Sequence, residues 1–265
     1  LTPHYHYVSR PPFTEAEAVR RAIYLAGQTD TPLYIAHMTC REAIAELQKA
    51  KGTGQRVSGE TCTHYLTTTK EVLDNPDFNE AAKFVCSPAL RDREDCEALW
   101  QALSDGLLTA VSSDHCGIDV AELKQAGRND FTQIPNGSPG AGDRLHMVWT
   151  EGVCTGKLTR QKFVDVIATQ PAKINGIYPR KGTLAVGSDA DVVIFDPNYE
   201  GTVHLADNPN GVDYNLYEGR RQSGRVETVL LRGQVVVENA KFVGRYGQGK
   251  FIPANMYASG YENRN

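Results

Sequence analysis

Thr109-Ala110-Val111-Ser112-Ser113-Asp114 is a short β-branched run that closes on a carboxylate, and Pro32-Leu33-Tyr34-Ile35-Ala36-His37 is an equivalent run that closes on an imidazole. Both read as strands. Ala43, Ile44 and Leu47 share a helical face after the first of them in chain order, and Lys51-Gly52 places a cation and a glycine where helix C-termini favour them. Cys96, Leu99, Trp100 and Leu103 make a second amphipathic face, ended by Gly106 just before the run to Asp114. Strand then helix is the repeating unit, which predicts an α/β fold, most simply part of a barrel. In such folds the C-terminal ends of the strands carry the chemistry, so His37 and Asp114 become the first candidates for function.

Working outward, Thr14-Glu15-Ala16-Glu17 reads as a capping box, with Val19, Ala22, Ile23 and Ala26 following at helical spacing. Val57-Ser58-Gly59-Glu60-Thr61 and Lys83-Phe84-Val85-Cys86 read as further strands. The character changes after the helical stretch 160–174. Residues 183–195, with Val192-Val193-Ile194-Phe195, and 226–237, interrupted by Arg232-Gly233, predict strands and a hairpin without helices between them. The division expected is an α/β portion over 1–178, a small all-β portion over 179–249, and a polar tail over 250–265. That tail is expected to be frayed or docked on a neighbouring subunit.

Composition narrows the function. The 265 residues are 40% hydrophobic, enough for a proper core, and the net charge of −4 is spread without long runs of one sign. Nucleic acid and anionic membrane are therefore not expected as partners, and small-molecule chemistry is the better expectation. The six cysteines, Cys40, Cys62, Cys86, Cys96, Cys116 and Cys154, contain no C-x-x-C pair; reduced, mostly buried thiols in a cytoplasmic protein are expected. No apolar stretch approaches the roughly 18 residues that span a bilayer. The chain opens on Leu1, not Met, which leaves room for residues upstream.

Several motifs then carry a resemblance. Tyr34-Ile35-Ala36-His37-Met38-Thr39-Cys40, Gly59-Glu60-Thr61-Cys62, Cys86-Ser87-Pro88-Ala89-Leu90-Arg91, Ser113-Asp114-His115-Cys116 and Ile134-Pro135-Asn136-Gly137-Ser138-Pro139-Gly140 occur in that order. The set resembles the dihydropyrimidinases and D-hydantoinases, cyclic amidases of the amidohydrolase superfamily. Leu184 to Pro197 also looks like the strand that returns to that superfamily's small β-sandwich. The resemblance implies the C-terminal portion of a TIM-type (β/α)8 amidohydrolase barrel followed by part of a β-sandwich domain. Ser9-Arg10-Pro11-Pro12 matches a segment that lies well inside the family's barrel.

The resemblance implies two divalent metals, usually zinc, held by an H-x-H, a carboxylated lysine, two further histidines and an aspartate. Only His37 and Asp114 have counterparts here, so the carboxylated lysine is expected outside this chain, which is read as lacking part of its metal site. Asp114 is also assigned the catalytic role: it would orient a metal-bridging hydroxide, accept its proton and pass that proton to the leaving nitrogen. Ser87 and Asn136 fall where the family contacts the cyclic imide, largely through backbone groups. Each residue has a plainer reading: His37 as a strand-end histidine, Asp114 as a helix N-cap, Ser87 and Asn136 as turn residues before Pro88 and Gly137.

Other features are set aside. His4-Tyr5-His6 is an H-x-H without a preceding apolar strand, and exposed loop histidines are expected. His115 is given no role, because strand alternation points it away from Asp114. His64 is read as structural. Gly244 to Lys250 has P-loop spacing, but Phe251 stands where Ser or Thr is required. The function expected is metal-dependent opening of a dihydropyrimidine or hydantoin ring to an N-carbamoyl amino acid by a homotetramer. The alternatives are an allantoinase-like or dihydroorotase-like cyclic amidase, or a non-enzymatic scaffold like the collapsin-response mediators.

Overall fold

The computed structural model describes residues 1–255. The expectation that the tail segment Tyr257 to Tyr261 crosses a neighbouring subunit concerns residues outside that range. The first region alternates helices with a three-stranded parallel sheet of order β1-β2-β3: β1 Leu33–Ile35, β2 Val57–Cys62 and β3 Ala110–Ser112. Leu33 pairs with Val57, and Glu60 with Ala110. Helices α1 His4–Val8, α2 Pro12–Gln28, α3 Arg41–Gly52, α4 Thr63–Thr67, α5 Phe78–Ala82, α6 Arg93–Ser104, α7 Arg144–Val148, α8 Arg160–Val164 and α9 Gln170–Ile174 surround it. The expected faces are the buried ones: Ala43, Ile44 and Leu47 of α3, and Cys96, Leu99, Trp100 and Leu103 of α6. They meet Val57, Leu66, Leu108 and Val111 in one core.

Local expectations fail at α2 and at residues 83–86. Helix α2 begins at Pro12, before the capping box: Thr14 Oγ1 donates to the Pro11 carbonyl, and no side chain caps the helix. Proline suits a first helical turn because its missing N–H would be unpaired there anyway. Residues 83–86 form no strand; Phe84 and Val85 donate back to the Ala81 and Ala82 carbonyls in a turn after α5. Apolar residues there enter the core without a neighbouring strand to pair with.

The second region is a four-stranded antiparallel sheet, β4 Val192–Thr202, β5 Arg221–Leu231, β6 Gln234–Glu238 and β7 Lys241–Phe242. Arg232 and Gly233, at φ 50° and 79°, turn the expected β5-β6 hairpin. Residues 183–191, expected as strand, are turns preceding β4. Trp149 joins the two regions, its ring 4.8 Å from Phe195 of β4 and 5.3 Å from Phe163 of α8. At Gly224, φ 75°, an added Cβ would lie 2.4 Å from the Phe195 ring, so glycine is required there. Between β4 and β5 the chain returns to the first region, where Val203, Tyr214, Leu216 and Tyr217 are buried with Val120 and Met147.

Candidate active site

His37 follows β1, and Asp114 follows β3, as the sequence predicts. Both depart from strand geometry: His37 has φ 42° and Asp114 φ 44°, in the left-handed region. Histidine and aspartate are among the few non-glycine residues enriched there, and such backbone turns a side chain out of the strand's alternation. Between them lies the end of β2, and the three ends are tied together. Met38 N donates to Glu60 O and Thr61 Oγ1 to Met38 O, each at 2.8 Å, while Cys62 Sγ lies 3.2 Å from Ser112 Oγ. One layer down, Glu60 accepts from Tyr34 Oη at 2.6 Å and from Ser112 Oγ at 2.8 Å, so a single carboxylate links side chains of all three strands.

Ser87 and Asn136, far apart in sequence, are brought together: Ser87 Oγ donates to Asn136 Oδ1 at 2.9 Å. The Asn136 loop also docks on the segment that bears Asp114. Cys116 N donates to Ser138 O at 3.0 Å, and Gly140 N donates to His115 Nδ1 at 3.2 Å. His115 thus holds a loop, a role that sequence reasoning did not give it. A Cβ at Gly137 would lie 2.7 Å from Cys116 Cβ, so the loop seats closely because it carries glycine there.

A buried cluster stands behind His37 and Ser87. Glu15 accepts from Thr39 N at 2.7 Å, from Thr39 Oγ1, and from Arg91 Nη2 at 3.2 Å, while Arg91 Nε donates to Thr39 Oγ1 at 2.9 Å. The cluster connects α2, the turn after His37 and the segment after Ser87. This is where the Glu15 of the expected capping box is used. A cavity of about 590 Å³ lies against it, running from His37, Ser87 and Arg91 along β1 to Val19 and Ala22 of α2.

The histidines near the start differ from expectation. His4-Tyr5-His6 is helical, not a loop, and of the two histidines only His4 reaches the surface, 2.7 Å from Asp74. His6 is 1% exposed, and its Nε2 donates to Cys86 O at 2.7 Å. Residues two apart on a helix point to different sides, so one faces solvent and the other the core. Burial lowers the His6 pKa to about 4, so its ring is neutral. His64 is buried beside Tyr65, its Nε2 without a hydrogen-bond partner among the described residues. Burial lowers its pKa to about 3.

An imidazole and a carboxylate after the two strands that flank β2 are donors of the type zinc takes, but a catalytic zinc usually keeps three protein ligands. Among the described residues no group of three or more His, Cys, Asp or Glu is placed to hold an ion. His37 and Asp114 therefore do not make a complete metal centre by themselves. No helix of the described residues is long and apolar enough to cross a membrane.

A sequence model of the amidohydrolase family matches residues 25–236. The chain is 48% identical over 255 residues to a D-hydantoinase of Ralstonia pickettii, covering 96% of this chain and 55% of that protein. It is also 48% identical to a D-hydantoinase of Rhizobium radiobacter, with the same coverage. The crystal structure of dihydropyrimidinase from Brevibacillus agri superposes with a TM-score of 0.94 at 43% identity, over 99% of this chain and 56% of that one. The chain thus spans about half the length of the curated relatives it matches. With four-fifths of its length inside the family match and this agreement in fold, the chain belongs to the amidohydrolase family, in the company of D-hydantoinases and dihydropyrimidinases.

Proposed function

We propose that the complete protein hydrolyses the cyclic amide bond of dihydropyrimidines or hydantoins, giving N-carbamoyl amino acids. The observation that carries this reading is the Ser87–Asn136 pair, 2.9 Å apart, which ties the Ser87 segment to the Asn136 loop docked against the Asp114 segment. A cyclic imide alternates N–H and C=O groups, and two polar turns fixed to each other offer the matching set of donors and acceptors. Asp114 is the proton carrier. A water oxygen attacks the ring carbonyl carbon, the carbon–nitrogen bond breaks, and Asp114 takes the proton of the water and delivers it to the departing nitrogen.

The amidohydrolase family is generally dependent on a pair of metals, and we assign His37 and Asp114 to part of that centre, with zinc as the metal. The remaining ligands, a carboxylated lysine among them, are assigned to residues outside this chain. A bound pair would polarise the carbonyl and lower the pKa of water. In this reading residues 1–178 are part of a (β/α)8 barrel, 179–249 part of a β-sandwich, and the enzyme is a cytoplasmic homotetramer in which 250–265 contribute contacts. The test is to incubate the complete protein with dihydrouracil and with hydantoin and follow the N-carbamoyl product. Opening of either ring supports the reading; inertness towards both, in protein with a full metal complement, refutes it.

A further inference from the structure

Lys124 has no exposed surface, and no carboxylate pairs with it among the described residues. Its three ammonium hydrogens are nonetheless satisfied. Nζ donates to Gly137 O at 2.7 Å, Ala82 O at 2.8 Å and Val85 O at 3.2 Å. These carbonyls belong to two separate segments. Ala82 ends α5, where helix carbonyls lack an intrahelical partner. Val85 lies just before Ser87, and Gly137 directly after Asn136. Further bonds run across the same seam: Gly137 N donates to Val85 O at 3.0 Å and Ser138 Oγ to Lys83 O at 2.8 Å.

We propose that Lys124 is a positioning residue whose buried ammonium fixes the Ser87 segment and the Asn136 loop to each other, so that their polar groups meet the substrate ring as one preformed surface. An unpaired charge in a protein interior is strongly destabilising, and an apolar side chain of similar volume would avoid that cost. Burial accordingly lowers the Lys124 pKa to about 8, with the Cys86 and Cys116 thiols acting in the opposite sense. What the cation provides in return is directional: three carbonyls aimed at one point cannot satisfy one another, and a donor with three hydrogens joins them. Methionine would fill the volume but take away the Lys124 bond from all three, leaving Ala82 O with the bond from Val85 N and Val85 O with the bond from Gly137 N.

The inference rests on the substrate reading given to Ser87 and Asn136, and the experiment separates the two. In the complete enzyme, Lys124→Ala and Lys124→Met are compared with the parent by ring-opening kinetics and by hydrogen exchange of the peptides covering 84–88 and 135–138. The expected result is a KM raised about 10-fold with kcat held within about 3-fold, as loss of ground-state positioning requires. Exchange should quicken in both peptides together. Methylammonium chloride, entering the space left in Lys124→Ala, should restore KM and exchange, whereas sodium chloride at equal ionic strength should not; Lys124→Met, with no space, should not respond. An unchanged KM in a folded variant overturns the proposal, even if exchange quickens. So does a KM that methylammonium leaves raised, and so does failure of both variants to fold in either salt, since Lys124 then serves packing alone. If the parent opens neither ring, the substrate reading falls and exchange decides: methylammonium-reversible loosening of both peptides upholds the tie between the loops, and its absence removes it.

Discussion

The two sheets of this molecule treat their surfaces in opposite ways. The parallel sheet is covered at its centre: β2 is buried at every position but Glu60, β1 is half-buried beside the cavity, and helices pack the surroundings into one core. The antiparallel sheet is more open, with Val193 50% and Phe242 66% exposed, and it meets the first region through the Trp149–Phe195 ring contact and through bonds from β5 to Thr150 and His146. Burial on both faces frees the ends of the parallel strands to carry polar groups, because the apolar middle already supplies the stability. An open sheet has no such division of labour. In the proposed reading, the difference separates the region that holds the candidate site from one that does not.

The sharpest way to break this comparison is through activity. Asp114→Asn in the complete enzyme should cut turnover by about 1,000-fold, near 4 kcal/mol of barrier, while leaving the thermal midpoint close to the parent value. The amide keeps the shape of the carboxylate but cannot take the proton. Steady-state kinetics beside thermal melts decide it, and near-parental hydrolysis removes Asp114 from the mechanism.

Stability should divide the same way. Leu99→Ala, at a fully buried position of α6, should cost about 3 kcal/mol by loss of burial and the cavity left behind. Val193→Ala on the open sheet should cost less than about 1 kcal/mol. Urea melts of both variants test the contrast, and equal losses would show that the second sheet is as tightly covered as the first.

Acid should act on the first region. His6 has a folded pKa near 4 against 6.5 for the free side chain, so between those values the unfolded chain binds a proton that the folded chain does not. Its contribution is therefore intact above about pH 6.5 and is lost as pH falls through 4, a loss approaching about 3 kcal/mol. His6→Gln, which keeps a donor for Cys86 O, should flatten the acid limb of a stability–pH profile; an unchanged limb would contradict it. The smallest effect is expected at the Arg221–Glu200 pair on the open sheet, bonded at 2.8 Å and 2.9 Å but solvent-exposed on both sides. Arg221→Ala should leave the melt unchanged, and a clear drop would place that pair in a covered environment.

Legibility in the sequence followed the range of the interactions. The strands to His37 and Asp114 were readable because β-branched runs followed by amphipathic helices are local patterns. The cores of α3 and α6 were readable by spacing for the same reason. His6 was not, because its burial depends on a carbonyl 80 positions away, at Cys86. Residues 83–86 read as a strand by composition, yet the Val85 carbonyl is taken by Lys124 and Gly137, 39 and 52 positions on. Thr14 and Glu17 fitted a capping box, but the helix starts earlier, and the carboxylate between them, Glu15, is bound by Arg91, 76 positions on. The meeting of Ser87 with Asn136 was implied only by the family resemblance; no periodicity in the chain announces it.

The backbone at His37 and Asp114, with φ of 42° and 44°, also sets what evolution or a mutagenesis library can do there. The admissible alphabet at these two positions is filtered twice, once by donor chemistry and once by a torsion that excludes β-branched and most bulky residues. Asparagine, histidine, aspartate and glycine pass the second filter, so His37→Asn and Asp114→Asn keep the local path of the chain. Valine or isoleucine at either position would push the strand end into another course and move its neighbours. A selection for new chemistry at this site would thus search a vocabulary of about four letters at each of the two positions, and the structurally silent substitutions within it would be the ones that alter charge.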